Sequence, residues 1–115
     1  MALSITSGEV DGIAVIWLDG RIVLGEETGA LRETVKNLLA QGKRKLILNM
    51  NNVTLIDSAG LGALVSAYSS AKSGGASLHL CHLGTKFDEL LQITRLTTIF
   101  EIYKTQKDAI NSFLK

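Results

Sequence analysis

The stretch KLILNM, residues 45–50, restricts the fold more than any other part of the chain, because it is almost continuously apolar. Such a run is typical of a strand whose two faces are both covered, as happens in a largely parallel sheet. Parallel strands need crossover connections, and these are usually helices. We therefore expect an α/β fold in which helices pack against a mainly parallel β-sheet.

The segments before KLILNM predict a hairpin followed by a helix. Two β-rich stretches, LSITSGEV and IAVIWLDG, are separated by Asp11 and Gly12, a dipeptide typical of a tight turn between antiparallel strands. Apolar residues at helical spacing then predict a helix over residues 26–41, and Gly42 is suited to end it. The sheet should therefore open with an antiparallel β-hairpin.

The segments after KLILNM continue the alternation of helix and strand. They are a helix in TLIDSAGLGALVSAYSSAK, a strand in ASLHLCHL, a helix in TKFDELLQITRL, a strand in TIFEIY and a short helix in TQKDAINSFLK. In the third helix, Phe87, Leu90 and Leu91 should point inward. The predicted order is β-β-α-β-α-β-α-β-α, with about four helices and right-handed crossovers.

Length and charge limit the classes of protein and partner. A chain of 115 residues suits one domain, which we take as residues 1–115. The net charge of +1 creates no field that would attract nucleic acid or an anionic membrane. No apolar run approaches the length of about 20 residues that spans a bilayer, and the N-terminus lacks signal-peptide features. We expect a cytoplasmic protein with no nucleic-acid or membrane partner.

No motif in the sequence predicts catalysis, a metal or a cofactor. IDSAG resembles a nucleophile elbow, but Ile56 stands where that motif has its first glycine. His79 and His82 lie three residues apart in a predicted strand and should therefore face opposite sides of the sheet. His79 and Cys81 share a face without a nearby carboxylate, which favours ordinary packing over metal binding. GLGALV lacks the third glycine of a dinucleotide-binding motif.

The junction between strand and helix at Asp57 and Ser58 allows two interpretations. Either residue could simply be the N-cap of the second helix, accepting a bond from a backbone N–H. Gly60 and Gly62 follow within one turn, although glycine inside a helix costs about 1 kcal/mol relative to alanine. Bare backbone lets another molecule approach, and strand-to-helix junctions of α/β sheets commonly carry binding sites. The junction is therefore either a cap or a functional loop.

The segment NMNNVTLIDSAGLGALVSAY resembles the signature of the STAS domain, the family of anti-sigma factor antagonists. AVIWLDGRI resembles the second strand of the family, and LLQITRLTTIFEIY resembles its closing helix and strand. The resemblance covers nearly the whole chain. The length of the chain is also similar to that of the free-standing bacterial antagonists. The resemblance implies a single STAS-like domain.

The family resemblance also implies a protein-binding switch, with Ser58 at the phosphoacceptor position. In this cycle the unmodified antagonist binds an anti-sigma factor that is also a serine kinase, and a sigma factor is released. The kinase then phosphorylates the serine, and a metal-dependent serine phosphatase resets the antagonist. The partner-binding residues implied here are Asp57, Ala59, Gly60, Leu61, Gly62, Glu26 and Glu27.

One segment departs from the family pattern. Members often have an acidic residue soon after the second-strand glycine, whereas Arg21 and Val23 follow Gly20 in this chain. Glu26 and Glu27 are the acidic residues that can take this place. The alternative function is a non-catalytic STAS scaffold or subunit of a signalling or lipid-transport complex, in which Ser58 is only the helix N-cap.

Overall fold

The computed structural model describes residues 3–23 and 25–114, apart from the side chains of residues 26–28 and 86. The described elements are β1 (Leu3–Val10), β2 (Ile13–Ile22), α1 (Glu26–Ala40), β3 (Lys45–Ile56), α2 (Ser58–Ser73), β4 (Ser77–Cys81), α3 (Thr85–Ile93), β5 (Glu101–Tyr103) and α4 (Gln106–Leu114). A short 3-10 helix (Leu96–Thr98) precedes β5. This order of strands and helices confirms the prediction.

The strands form one sheet in the order β1-β2-β3-β4-β5, so each strand lies beside its neighbour in sequence. β1 is antiparallel to β2, and the other three pairs are parallel. Right-handed crossovers that all step in one direction place their helices on the same face of a sheet. Accordingly, α1, α2 and α3 share one apolar core, whereas α4 packs on the opposite face.

The opening hairpin has the predicted two-residue turn. Val10 pairs with Ile13, and the two intervening residues both have positive φ, 54° at Asp11 and 80° at Gly12. Positive φ at both positions defines the turn whose twist matches that of the flanking strands. The Asp-Gly dipeptide adopts this turn readily, because glycine carries no Cβ.

The strand over KLILNM is covered on both faces, as its apolar run predicts. Leu46, Ile47 and Leu48 are all fully buried. Leu46 and Leu48 belong to the core under the three helices, and Ile47 belongs to the core under α4. The strand continues beyond the apolar run to Ile56, because β2 follows it along this length. That extension brings the end of β3 directly to Asp57.

The predicted strand ASLHLCHL is shorter than its apolar pattern indicates. β4 ends at Cys81, and His82 has a φ of 58°, which turns the chain out of the sheet. The prediction that His79 and His82 face opposite sides is therefore wrong. The rings of both histidines contact α4, with His79 Nδ1 lying 3.0 Å from Ser112 Oγ and His82 Nε2 accepting the Gln106 N–H.

Candidate functional site

The loops after β2 and β3 meet at one edge of the sheet. The two strands are parallel, and Ile22 is paired with Ile56 at their carboxyl ends. The Asp57 N–H donates a hydrogen bond to the Ile22 carbonyl oxygen at 3.3 Å, which joins the two chain segments just before α2 begins. Carboxyl edges of parallel strands are common binding sites in α/β proteins.

Asp57 is the N-cap of α2. Its backbone is extended, and its Oδ1 atom accepts a hydrogen bond from the Gly60 N–H at 2.8 Å. The Asp57 carbonyl accepts the Leu61 N–H at 2.9 Å and so begins the ladder of the helix. The alternative in which Ser58 serves as the N-cap is therefore wrong, because the carboxylate of Asp57 already fills that position.

Ser58 occupies the first position of α2 and is exposed. Among the residues that the structure describes, its hydroxyl has no hydrogen-bond partner. The free N–H groups of a helix's first turn, together with the helix dipole, favour an anion at such a position. An approaching protein can reach the Ser58 hydroxyl without breaking a contact that holds the fold together.

Gly60 and Gly62 differ in their surroundings, although the sequence suggested one role for both. A Cβ atom at Gly60 would lie 1.9 Å from the Ile22 carbonyl oxygen and 2.9 Å from Ile56 Cγ1. The same atom at Gly62 would meet nothing within 4 Å. Gly60 is therefore required inside the molecule, where the first turn of α2 packs on β2. Only Gly62, which is exposed, presents bare backbone to the outside.

The other residues predicted to bind a partner lie near this edge of the sheet and differ in how exposed they are. Ala59 and Leu61 are half-buried on the first turn of α2, and Leu61 packs against the main core. Glu26 and Glu27 begin α1, which follows the paired end of β2. The side chains of these two glutamates lie outside the described residues, so their proposed contacts stay a prediction.

A polar network on the opposite face of the sheet attaches α4. Gln106 Oε1 accepts hydrogen bonds from Trp17 Nε1 and Asn49 Nδ2, both at 2.9 Å. The backbone N–H of Gln106 donates to His82 Nε2 at 3.1 Å. These contacts explain why Trp17 is half-buried and Asn49 is buried, and they show that Trp17 is a packing residue.

His79 belongs to the same face and has a perturbed acid–base equilibrium. Its ring stacks on Phe113 at a centroid distance of 4.0 Å. Burial lowers the pKa of His79, and the negative charge of Glu101 opposes this effect. Burial also raises the pKa of the Cys81 thiol to about 12, so this cysteine is a neutral packing group.

Acid is expected to destabilise the fold partly through His79. Because its folded pKa is below the unfolded value of 6.5, the folded state binds its proton less readily. The stabilising contribution is complete above that unfolded value and is lost as the pH falls through the lower folded pKa. Urea unfolding at neutral and mildly acidic pH should show a smaller pH dependence for His79→Gln than for the wild type. An equal dependence in both proteins would contradict this assignment.

Two kinds of feature are absent from the described residues. They contain no cluster of three or more His, Cys, Asp or Glu side chains arranged to hold a metal ion. Within the same residues, no helix combines the length and apolar character that crossing a membrane requires.

Comparison with known proteins identifies a family that this chain matches. The STAS domain model matches residues 4–109. A protein of Thermotoga maritima assigned as an anti-sigma factor antagonist is 33% identical over 72 residues, which cover 63% of this chain and 64% of the relative. The aligned part therefore spans slightly less than two thirds of that relative.

Solved structures show the same fold. An anti-sigma factor antagonist from Mycobacterium paratuberculosis superposes with a TM-score of 0.85 at 20% identity, covering 99% of this chain and 96% of the other. The unphosphorylated form of the antagonist SpoIIAA gives a TM-score of 0.74 at 17% identity, with 96% and 97% covered. Its phosphorylated form, from Bacillus, gives 0.74 at 18% identity, with 96% and 99% covered. Together with the match over residues 4–109, the five-stranded sheet and its helices show that this chain belongs to the STAS domain family.

Proposed function

We propose that this protein is an anti-sigma factor antagonist controlled by phosphorylation of Ser58. The unphosphorylated form binds an anti-sigma factor serine kinase in the cytoplasm and thereby frees a sigma factor. Phosphorylation of Ser58 ends this binding, and a serine phosphatase restores it. The observation that carries the proposal is the exposed Ser58 side chain, which stands beside the helix cap without serving as that cap.

The charge of the site explains how one phosphate could control binding. A phosphoryl group adds about −1.5 to −2 charges and three acceptor oxygens at the first position of α2. The N-terminus of the helix tolerates this charge, since its N–H groups point toward it. The carboxylate of Asp57 lies on the adjacent residue, so the modified site becomes a dense negative spot. A partner surface that fits the neutral serine would then be repelled and displaced.

The proposed switch requires little movement of the protein itself. Asp57 caps α2, and Gly60 packs closely on the Ile22 carbonyl, so the backbone around Ser58 is held from two sides. We place the partner contacts on the exposed residues Ser58 and Gly62, on the half-buried Ala59 and Leu61 between them, and on the adjacent start of α1. This surface acts by binding, and the change in affinity comes from charge and bulk.

Phosphorylation can be tested directly with purified proteins. The protein is incubated with candidate anti-sigma kinases and ATP, and the phosphate is located by mass spectrometry. We expect one phosphate on Ser58, followed by loss of binding to the same kinase. Ser58→Ala is a clean control, because Asp57 rather than Ser58 caps the helix and the variant should fold normally. Phosphate on another residue, or binding that survives modification of Ser58, would refute the proposed switch.

A further inference from the structure

The second half of β3 has a partner strand on one side only. β4 pairs with β3 from Lys45 to Asn49, whereas β2 follows β3 to Ile56. β4 ends because the positive φ of His82 directs the chain away toward α3. Among the described residues, no strand pairs with 50–56 on the side where β4 would continue, although β3 is bulged against β2 at two places in this stretch and the Asn51 N–H already donates to Asn49 Oδ1 at 3.0 Å. Such a free edge presents N–H and C=O groups that can pair with another chain.

A groove of about 500 Å³ lies between this free edge and α3. Its walls are mostly apolar and are formed by Met50, Val53, Leu55 and Ile56 on the strand and by Phe87 and Leu90 on the helix. Leu55 is 51% exposed, so an apolar side chain of this wall is open to solvent. The volume falls within the range of about 300 to 1,000 Å³ that is typical of ligand pockets.

The charge and the backbone of the groove together select one kind of occupant. No ionisable side chain is found among the described lining residues, so a charged ligand would lose water without gaining a counter-charge. Apart from the Asn51 N–H, which is bonded to Asn49 Oδ1, the strand edge offers backbone donors and acceptors that an extended peptide can match over part of its length. Alternate side chains of such a peptide would point into the apolar groove. A small apolar molecule would fill the space but leave the strand edge unpaired.

We propose that an extended, uncharged apolar segment of a partner protein binds in this groove as an added strand beside residues 50–56. The strand wall ends at Ile56, two residues before Ser58, so one end of the groove lies close in sequence to the proposed phosphorylation site. The identification of this partner as the anti-sigma factor rests on the proposed function. The binding of an added strand in the groove does not depend on that function.

The probe is a peptide selected from a random library displayed on phage, with the folded wild-type protein as bait. The peptide is synthesised with blocked ends and titrated into isotope-labelled protein, and the NMR shift changes are mapped. We expect alternating apolar residues in the selected peptides and shift changes at residues 50–56 and 84–90. Methylation of the peptide nitrogens that face the strand edge should weaken binding by about tenfold or more, because it removes hydrogen-bond donors.

Matched variants test the location of binding. Leu55→Asp places a charge in the groove, whereas Leu114→Asp makes the same change on α4 at a residue of similar exposure, 55%. The first variant should weaken binding by about tenfold or more, since a carboxylate is introduced into an apolar wall, and the second should have no effect. Gly84→Phe is a second groove variant, because a Cβ there meets nothing within 4 Å and its φ of −72° suits any residue.

Three results would overturn the proposal. The first is the absence of any selected peptide that distinguishes the wild type from both groove variants. The second is binding that is insensitive to nitrogen methylation, which would indicate a side-chain or small-molecule pocket. The third is a concentration-dependent dimer whose contacts map to residues 50–56, which would make a second copy the occupant. The experiment uses neither kinase nor phosphate, so its failure leaves the proposed switch at Ser58 standing.

Discussion

Replacement of Gly60 by alanine is expected to lower the free energy of unfolding by about 3 kcal/mol or more, at the upper end of the range for overpacked sites. The added methyl group would lie 1.9 Å from the Ile22 carbonyl oxygen and 2.8 Å from its carbon. Both atoms belong to the backbone, so no change of rotamer can relieve the contact. The first turn of α2 must move away from β2, which weakens the Asp57 cap as well.

Gly62→Ala is the matched control for this prediction. The position is exposed, helical and open around the added atom, so alanine should raise stability by about 0.4 to 1 kcal/mol. Urea unfolding of the wild type, Gly60→Ala and Gly62→Ala at one pH gives both differences in the free energy of unfolding. Equal effects of the two substitutions would show that the close approach of α2 to Ile22 does not hold in solution.

Ser58→Asp is expected to weaken binding to the proposed anti-sigma partner by about 100-fold or more, because unfavourable charge at an interface costs several kcal/mol. Stability should change little, since the side chain is exposed and acidic residues are favoured in the first turn of a helix. Binding is measured by calorimetry with the kinase identified in the phosphorylation experiment.

Two variants separate charge at Ser58 from other effects of the substitution. Asparagine has nearly the same size as aspartate but carries no charge, so Ser58→Asn should retain most of the binding to the partner. Ser69→Asp adds the same charge to an exposed position further along α2 and should bind like the wild type. If Ser58→Asp binds normally while remaining folded, negative charge at this position does not control the interface.

The sequence predicts most of the fold because its local signals agree with the long-range packing. The apolar run over Leu46, Ile47 and Leu48 indicates a strand buried on both faces, and all three side chains are fully buried. The Asp11-Gly12 dipeptide predicts the tight turn at which both φ angles are positive. Such signals are local, so they can be interpreted without knowing what each segment packs against.

The structure differs from the sequence-based predictions where a contact distant in sequence determines the conformation. Gly60 and Gly62 have nearly the same local sequence, yet only Gly60 faces the Ile22 carbonyl, and no pattern near Gly60 reveals that contact. His82 lies within the segment predicted as a strand, but its positive φ ends β4 at Cys81. The groove beside residues 50–56 follows from this early ending. On the strand, its sequence signal beyond KLILNM is limited to the apolar residues Val53, Leu55 and Ile56.

The order of the sheet also has a consequence for how the protein is made. Each strand pairs with its neighbour in sequence, so the sheet can grow by one strand at a time as the chain leaves the ribosome. α4 is synthesised after all five strands, and among the described helices it is the one that packs on the face containing Ile13, Val15 and Ile47. A nascent chain that stalls before α4 would therefore expose these apolar side chains to water and to other chains, which favours aggregation.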